Sequence, residues 1–248
     1  MPKLTLPNVE KIIDEAIGNI LMRYKKNNLK DLLMLENFSN IINEIEEEAE
    51  KIYRNYERNA VEQYLRNKSL ISKDIFTAIH TIIDNSLITS LANTRRARAG
   101  SSSQIILVKL LREKGIKCDV AKFKYKGYRP DIVIPSNEAF REDINKVYVL
   151  AVKRTLRERW AEDIDVFKFP NSAFILIKPD PDFTLAKAED MVRRGMKRIY
   201  IPDNLYDKFK SLLNQLEEKY SVLFRPLSKL PNDLINFLDK ILINKRDV

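Results

Sequence analysis

The stretch RPDIVIPSNEAFREDINKVYVLAVKRTLRERW, residues 129–160, decides the fold. It opens on Arg129-Pro130-Asp131, enters the apolar run Ile132-Val133-Ile134, and later carries VYVLAV before Lys153. Short apolar runs rich in Val and Ile, bounded by Pro, Asn and Asp, read as strands buried on both faces. Asp131 then starts one strand, and Lys153, 22 residues later, ends the next. A carboxylate and an ammonium at the ends of paired strands can share one site. The acid holds a divalent ion, while the lysine orients or deprotonates water and offsets charge on a phosphorane. The same residues have an ordinary reading too: Pro-Asp is turn chemistry, and a strand-end lysine is usually solvated.

Outward from this stretch, KCDVAKFKY (117–125) precedes it as a strand, with a bend at Lys126-Gly127. SAFILIK (172–178) and KRIYIP (197–202) follow as strands. TRRARAGSSSQ (94–104) is basic, small and turn-prone, and it opens a short helix, QIILVKLLREKG, stopped by Gly115. Further helices are expected from about Arg157 to Val166 and over TLAKAEDMVRRG, stopped by Gly195. From Asp203 the chain reads as helical, with breaks near Pro226 and Pro231. Residues 8–93 read as helices almost throughout. Asn8 caps a run with Ile12, Ile13, Ile17 and Ile20 at helical spacing, and a second run from about Phe38 to Arg66 carries Ile41, Ile42, Ile45, Ile52, Tyr53 and Tyr56. A third, from about Lys73 to Asn93 and capped by Ser72, holds His80 among isoleucines, where a structural role is expected. The sum is an α/β core with helices on its faces, residues 94–248, behind a helical N-terminal region, residues 1–93, in one compact unit.

Composition narrows the chemistry. The chain has 248 residues, one cysteine (Cys118), one histidine (His80) and five glycines, none of them in a GxGxxG or GxxxxGK loop. Disulfide frameworks, Cys-cluster or multi-histidine zinc sites and phosphate-cradling loops are therefore excluded. No run approaches the roughly 18 to 20 apolar residues of a membrane span. The opening MPKLTLPNVEKIIDEA lacks a signal peptide's apolar stretch, so a cytoplasmic protein is expected. Catalysis must run on carboxylates, lysine and hard cations. The net charge of +9 is concentrated: residues 95–159 hold 17 Lys and Arg against 7 Asp and Glu. Such a block is the footprint of a polyanion partner, most often nucleic acid. The alternative, a heat-adapted Lys-rich surface, would pair Lys with Glu, which this block does not.

Asp131, the strand ending Ala151-Val152-Lys153, and K-R-T-L-R-E-R-W at 153–160 together resemble the PD-(D/E)xK nucleases, and more narrowly the EcoRII-type and PspGI-type restriction endonucleases. R-R-A-R-A-G at 95–100 is similar to that family's R-x-x-R-A-G helix entry, and AFILIKPD…MVRRGMKRIYIPDNLY to its closing strand–helix–strand. The resemblance covers about residues 93–210. It implies a mixed sheet flanked by helices, a homodimer, double-stranded DNA as substrate, Mg²⁺ as cofactor and a short palindrome containing CC and GG, of the CCWGG kind. It also implies flipping of the central bases, and a methyltransferase acting on the same site. Carried over by residue, Asp131 is the metal-binding acid and Lys153 the catalytic lysine. Arg157 and Glu158 read the outer C:G pairs, Arg159 holds a phosphate or guanine, and Arg95, Arg96, Arg98 and Arg154 lie against the backbone. Tyr53, Tyr56 and Tyr64, with Arg54, are the right types for a platform under a flipped base.

The chain departs from the family at two places. Gln104 stands where the family usually has Glu at the catalytic centre, and Val166 falls at its metal-binding Glu. Glu162, Asp163 and Asp165 are the nearby acids. On an ideal helix Glu162 and Asp163 share the face of Val166, whereas Asp165 is closest in sequence. The rival readings are a repair or junction nuclease of the same fold and a DNA-binding protein without catalysis.

Overall fold

The computed structural model describes residues 6–67, 87–156 and 160–244. A six-stranded mixed sheet forms the centre, in the order β1 (Asp119–Val120), β2 (Ile132–Ile134), β3 (Tyr148–Lys153), β4 (Ser172–Leu176), β5 (Arg198–Ile201), β6 (Leu223–Pro226). β2 pairs antiparallel with β1 and with β3, and β3 to β6 run parallel. Among the described residues the helices are α1 (Val9–Arg23), α2 (Leu29–Leu35), α3 (Phe38–Asn67), α4 (Leu87–Glu113), α5 (Asn137–Glu142), α6 (Leu185–Arg193), α7 (Asp203–Tyr220) and α8 (Leu230–Asn244).

Strand alternation sorts side chains onto two cores. Ile132, Ile134, Leu150, Val152 and Ile175 face α1 to α4 and α8. Val133, Val149, Ala151, Phe174 and Leu176 face α6 and α7. Every residue of β3 except Lys153 is buried, because the sheet is covered on both sides. Each fully buried Ile or Val contributes roughly 1.5–3 kcal/mol of transfer free energy, so this strand holds Lys153 on a stiff support. Asn8 caps α1 by accepting from the Lys11 N–H at 2.8 Å, as the sequence indicates.

Several elements differ from the sequence reading. KCDVAKFKY is strand only at Asp119–Val120, and α5 and β6 form where that reading has no helix and no strand. The TRRARAGSSSQ segment is not a turn: α4 runs through it unbroken and across the expected boundary at 93/94. Ala and Arg favour helix there, and Ser101 satisfies its hydroxyl on the Ala97 carbonyl at 3.1 Å, inside the helix. α4 ends at Gly115, as expected, with φ +79 and the Ile116 N–H returning to the Leu111 carbonyl. Pro226 is not a helix break but the end of β6, an edge strand, where a missing N–H costs no ladder bond. Pro231 lies in the first turn of α8, where proline is tolerated. The expected helix up to Val166 is a 3₁₀ segment, Trp160–Lys168. His80 and Ser72 lie outside the described residues. Among the described residues, no helix is long and apolar enough to cross a membrane.

Candidate active site

Asp131 precedes β2, and its backbone continues the ladder: its N–H donates to Leu150 and its carbonyl accepts from Ala121. The side chain is held from two sides. Gln104 Nε2 donates to Oδ1 at 2.6 Å, and the Val152 N–H donates to Oδ2 at 2.6 Å. The carboxylate thus rests on the residue before Lys153, and the two strand ends make one site. Gln104 comes from the middle of α4, so the helical layer also reaches the site.

Lys153 pairs with Asp163, Nζ to Oδ2 at 3.0 Å. Asp163 is 6% exposed and accepts from the Tyr128 hydroxyl at 3.1 Å. Burial pushes its carboxyl above the usual carboxylate range, and Lys153 offsets only part of that rise. Burial, and then the charges of Asp163 and Asp131, push the Tyr128 phenol up, so it stays a donor. The 3₁₀ geometry explains which acid turns inward, since residues three apart eclipse one another. Asp163 lines up with Val166, which is fully buried, while Asp165 lines up with Lys168 and pairs with it at 2.8 Å, half exposed. Glu162 is exposed. Of the three acids, Asp163 is the one brought to Lys153.

The donor set suits a hard cation. Asp131 and Asp163 are the carboxylates that could hold one, with the carbonyl oxygen of Gln104, whose amide nitrogen donates to Asp131. Mg²⁺ keeps several waters and usually takes one or two carboxylates.

Arg154 turns away from this centre into an acidic cluster on α3, pairing with Glu46 at 3.2 Å and with Glu50. Ser103 of α4 donates to Glu46, whose carboxyl burial pushes up. The Arg54 hydrogen bond, followed by Arg154, draws Glu50 down to about 2. Arg154 therefore ties the end of β3 to α3. Arg95 is also engaged, by Glu57 at 2.6 to 2.9 Å. Arg98 lies over the Tyr53 ring, 5.1 Å from its centroid, and its Nη1 is buried without an acceptor among the described residues. Tyr53, Arg98, Arg95, Glu46, Glu50 and Arg154 line one cleft. Tyr56 instead donates to Glu15 at 3.0 Å, and Tyr64 is not part of the cleft. Arg157, Glu158, Arg159 and the Arg96 side chain lie outside the described residues.

Sequence reasoning missed Tyr128 and the Glu46–Glu50 pair. Tyr128 falls out of the alternation of Phe123 and Tyr125, and the turn at Lys126-Gly127 is what returns it to their side. In the sequence Glu46 to Glu48 read as a solvated helix face, yet Glu46 is buried, and Glu50 is not singled out.

The family model described as EcoRII C terminal matches residues 53–217. The type II restriction enzyme EcoRII of Escherichia coli is 26% identical over 127 residues, 50% of this chain. That match spans 31% of the relative's length. A solved complex of restriction endonuclease PspGI with substrate DNA superposes with a TM-score of 0.69 at 28% identity, covering 94% of each chain. Ecl18kI, solved metal-depleted with uncleaved, modified DNA, gives 0.69 at 17% identity, over 95% of this chain and 80% of that one. The fold, a mixed sheet flanked by helices with a helical N-terminal region, is that of these restriction endonucleases.

Proposed function

We propose that this chain, which belongs to the EcoRII C-terminal family, is a type II restriction endonuclease. It binds double-stranded DNA as a homodimer and cuts both strands, with Mg²⁺, at a short palindrome containing CC and GG. The observation that carries the reading is the hydrogen bond from the Val152 N–H to Asp131, which ties the acid to the backbone of the residue before Lys153. A palindrome is matched by two-fold symmetry, which supports the dimer. A methyltransferase modifying the same site needs no contact with this chain.

Bound Mg²⁺ would polarise a phosphoryl oxygen and acidify a water. Asp131, held by Gln104 and Val152, is the carboxylate that would hold the ion. Asp163 is the second acid, ahead of Asp165 and Glu162, because it is buried at Lys153 and kept there by Tyr128. The Lys153 ammonium orients the attacking water and offsets charge on the phosphorane. Arg157 donates to guanine O6 and N7 and Glu158 accepts from cytosine N4, while Arg159 holds a phosphate or guanine. Arg96 would contact the DNA backbone, whereas Arg95 is held by Glu57.

A duplex with one CCTGG should be cut by the parent protein, and one with its outer C:G pairs changed to T:A left whole. Arg157→Ala and Glu158→Ala should each lose roughly 1–3 kcal/mol of discrimination between these duplexes. If both variants discriminate as the parent does, this segment is not the reader.

The cleft with Tyr53 and Arg98 supports base flipping, since an aromatic face, a guanidinium and an unsatisfied buried donor suit an extruded base. With 2-aminopurine at the centre of the site, the parent should raise its fluorescence and Arg98→Ala should not. An equal rise in both rejects this platform.

One observation favours a second reading, a DNA-binding protein without catalysis: the family's metal-binding Glu is Val166 here, fully buried in the core. Specific binding with no cutting under any divalent ion would establish it.

A further inference from the structure

Between β1 and β2 the segment KFKYKGYR, residues 122–129, folds back on itself. Tyr125 and Tyr128 exchange backbone hydrogen bonds of 2.9 and 3.0 Å, and Lys126 and Gly127 between them both take positive φ, +48 and +84. Positive φ at both central residues is the tight-hairpin pattern, and glycine supplies one of the two positions without strain. Exposure alternates along the segment. Phe123, Tyr125 and Tyr128 are partly buried, whereas Lys122, Lys124, Lys126 and Arg129 are exposed.

The buried side is firmly anchored. Phe123 stacks on Phe140 of α5 with ring centroids 3.6 Å apart, and Tyr125 packs on Phe169 at 5.1 Å. Tyr128 reaches Asp163, the partner of Lys153, so the base of the hairpin is part of the candidate active site. The exposed side gathers four cations in eight residues with no acid among them. On the helices, cations sit beside acids one turn away, as in Arg54–Glu50, Arg66–Glu62, Arg193–Glu189 and Arg194–Asp190. Among the described residues no carboxylate lies within ion-pair distance of Lys122, Lys124 or Lys126. Four like charges held on a rigid hairpin repel one another, and a phosphate backbone laid against them would relieve that repulsion.

We propose that the 122–129 hairpin is a phosphate-backbone clamp, gripping the DNA strand beside the point of cleavage through Lys122, Lys124 and Lys126. The proposal rests on the DNA-binding reading above and adds to it a contact surface outside the arginine-rich segments. Ammonium groups on flexible stems hold phosphates as point charges and read no bases, so the clamp contributes affinity without specificity.

The test is the salt dependence of duplex binding from about 50 to about 200 mM salt, on a CC/GG duplex and on an unrelated one. Lys122→Ala/Lys124→Ala/Lys126→Ala is compared with the parent and with Lys208→Ala/Lys210→Ala/Lys240→Ala. The comparison variant removes the same charge from exposed positions on α7 and α8, and α7 follows β5 toward the opposite edge of the sheet. All six lysines are exposed, and circular dichroism verifies that both variants are folded. Every phosphate that no longer meets an ammonium reduces the slope of log K against log salt by about 0.9, so the hairpin variant should lose up to about 2.7. Affinity for both duplexes should fall by the same factor, and the comparison variant should keep the parent's slope. A hairpin slope within about 0.5 of the parent's, while the parent binds steeply, overturns the clamp and leaves the DNA reading standing. A loss confined to the CC/GG duplex overturns it as well, since that is base reading. Absence of any binding by the parent overturns the DNA reading itself.

Discussion

Replacing Lys153 by alanine is expected to abolish cleavage while leaving specific DNA binding within about tenfold of the parent. The ammonium acts on the scissile phosphate and its water, not on bases, so its loss falls on the chemical step. The geometry adds a second effect. Asp163 is buried, and Lys153 is its cation, so the variant leaves a carboxylate in the interior with only the Tyr128 hydroxyl beside it. Breaking fully buried pairs costs about 3–5 kcal/mol, and the partial exposure of Lys153 lowers the expected loss to about 1–3 kcal/mol. Urea titration measures it. Adding Asp163→Asn to Lys153→Ala should restore most of the stability and none of the cleavage. A Lys153→Ala protein cutting near the parental rate would remove the active-site assignment.

The second large effect concerns the acid that compensates for Val166. Alanine at Asp163 is expected to lower Mg²⁺-dependent cleavage by orders of magnitude, while alanine at Asp165 or Glu162 leaves it near the parental rate. The reason is placement. Asp163 faces inward below Val166, held by Lys153 and Tyr128, while Asp165 spends its charge on Lys168 at the surface. Tyr128→Phe removes the hydroxyl that orients Asp163 and should give an intermediate loss, with the Mg²⁺ concentration for half-maximal rate shifted upward. If Asp165→Ala is the inactive variant, the 3₁₀ segment rearranges on DNA and Asp163 is a structural acid only. Three active variants would mean a one-carboxylate centre built on Asp131.

The sheet was legible because its strands are buried on both faces. VYVLAV and SAFILI cannot be solvated in any register, and the position of Lys153 at the end of β3 follows from that. Asp131 was legible for a related reason, since a Pro-Asp pair before an apolar run must lie at a strand start. Segments whose residues have two uses were not. Gly100 and the three serines after it are turn formers in isolation, yet packing of α3 against α4 carries the helix through them. Pro226 stops helices and equally ends edge strands, and only the parallel pairing with β5 decides between them. The inward acid was open among Glu162, Asp163 and Asp165 because an α-helix and a 3₁₀ segment turn different residues inward. Tertiary packing of Val166 and Phe169 chose the tighter turn. The charge pairs at Glu46, Glu50 and Glu57 join residues far apart in sequence, and no local pattern announces them.

Digestion of plasmid DNA with the purified protein and Mg²⁺, followed by sequencing of every end produced, tests the central claim most directly. The expected result is discrete fragments whose ends all fall at one short palindrome containing CC and GG, with no cutting in EDTA or by Lys153→Ala. Ends scattered without a shared sequence, cutting only at branched DNA, or intact plasmid under every divalent ion would contradict it.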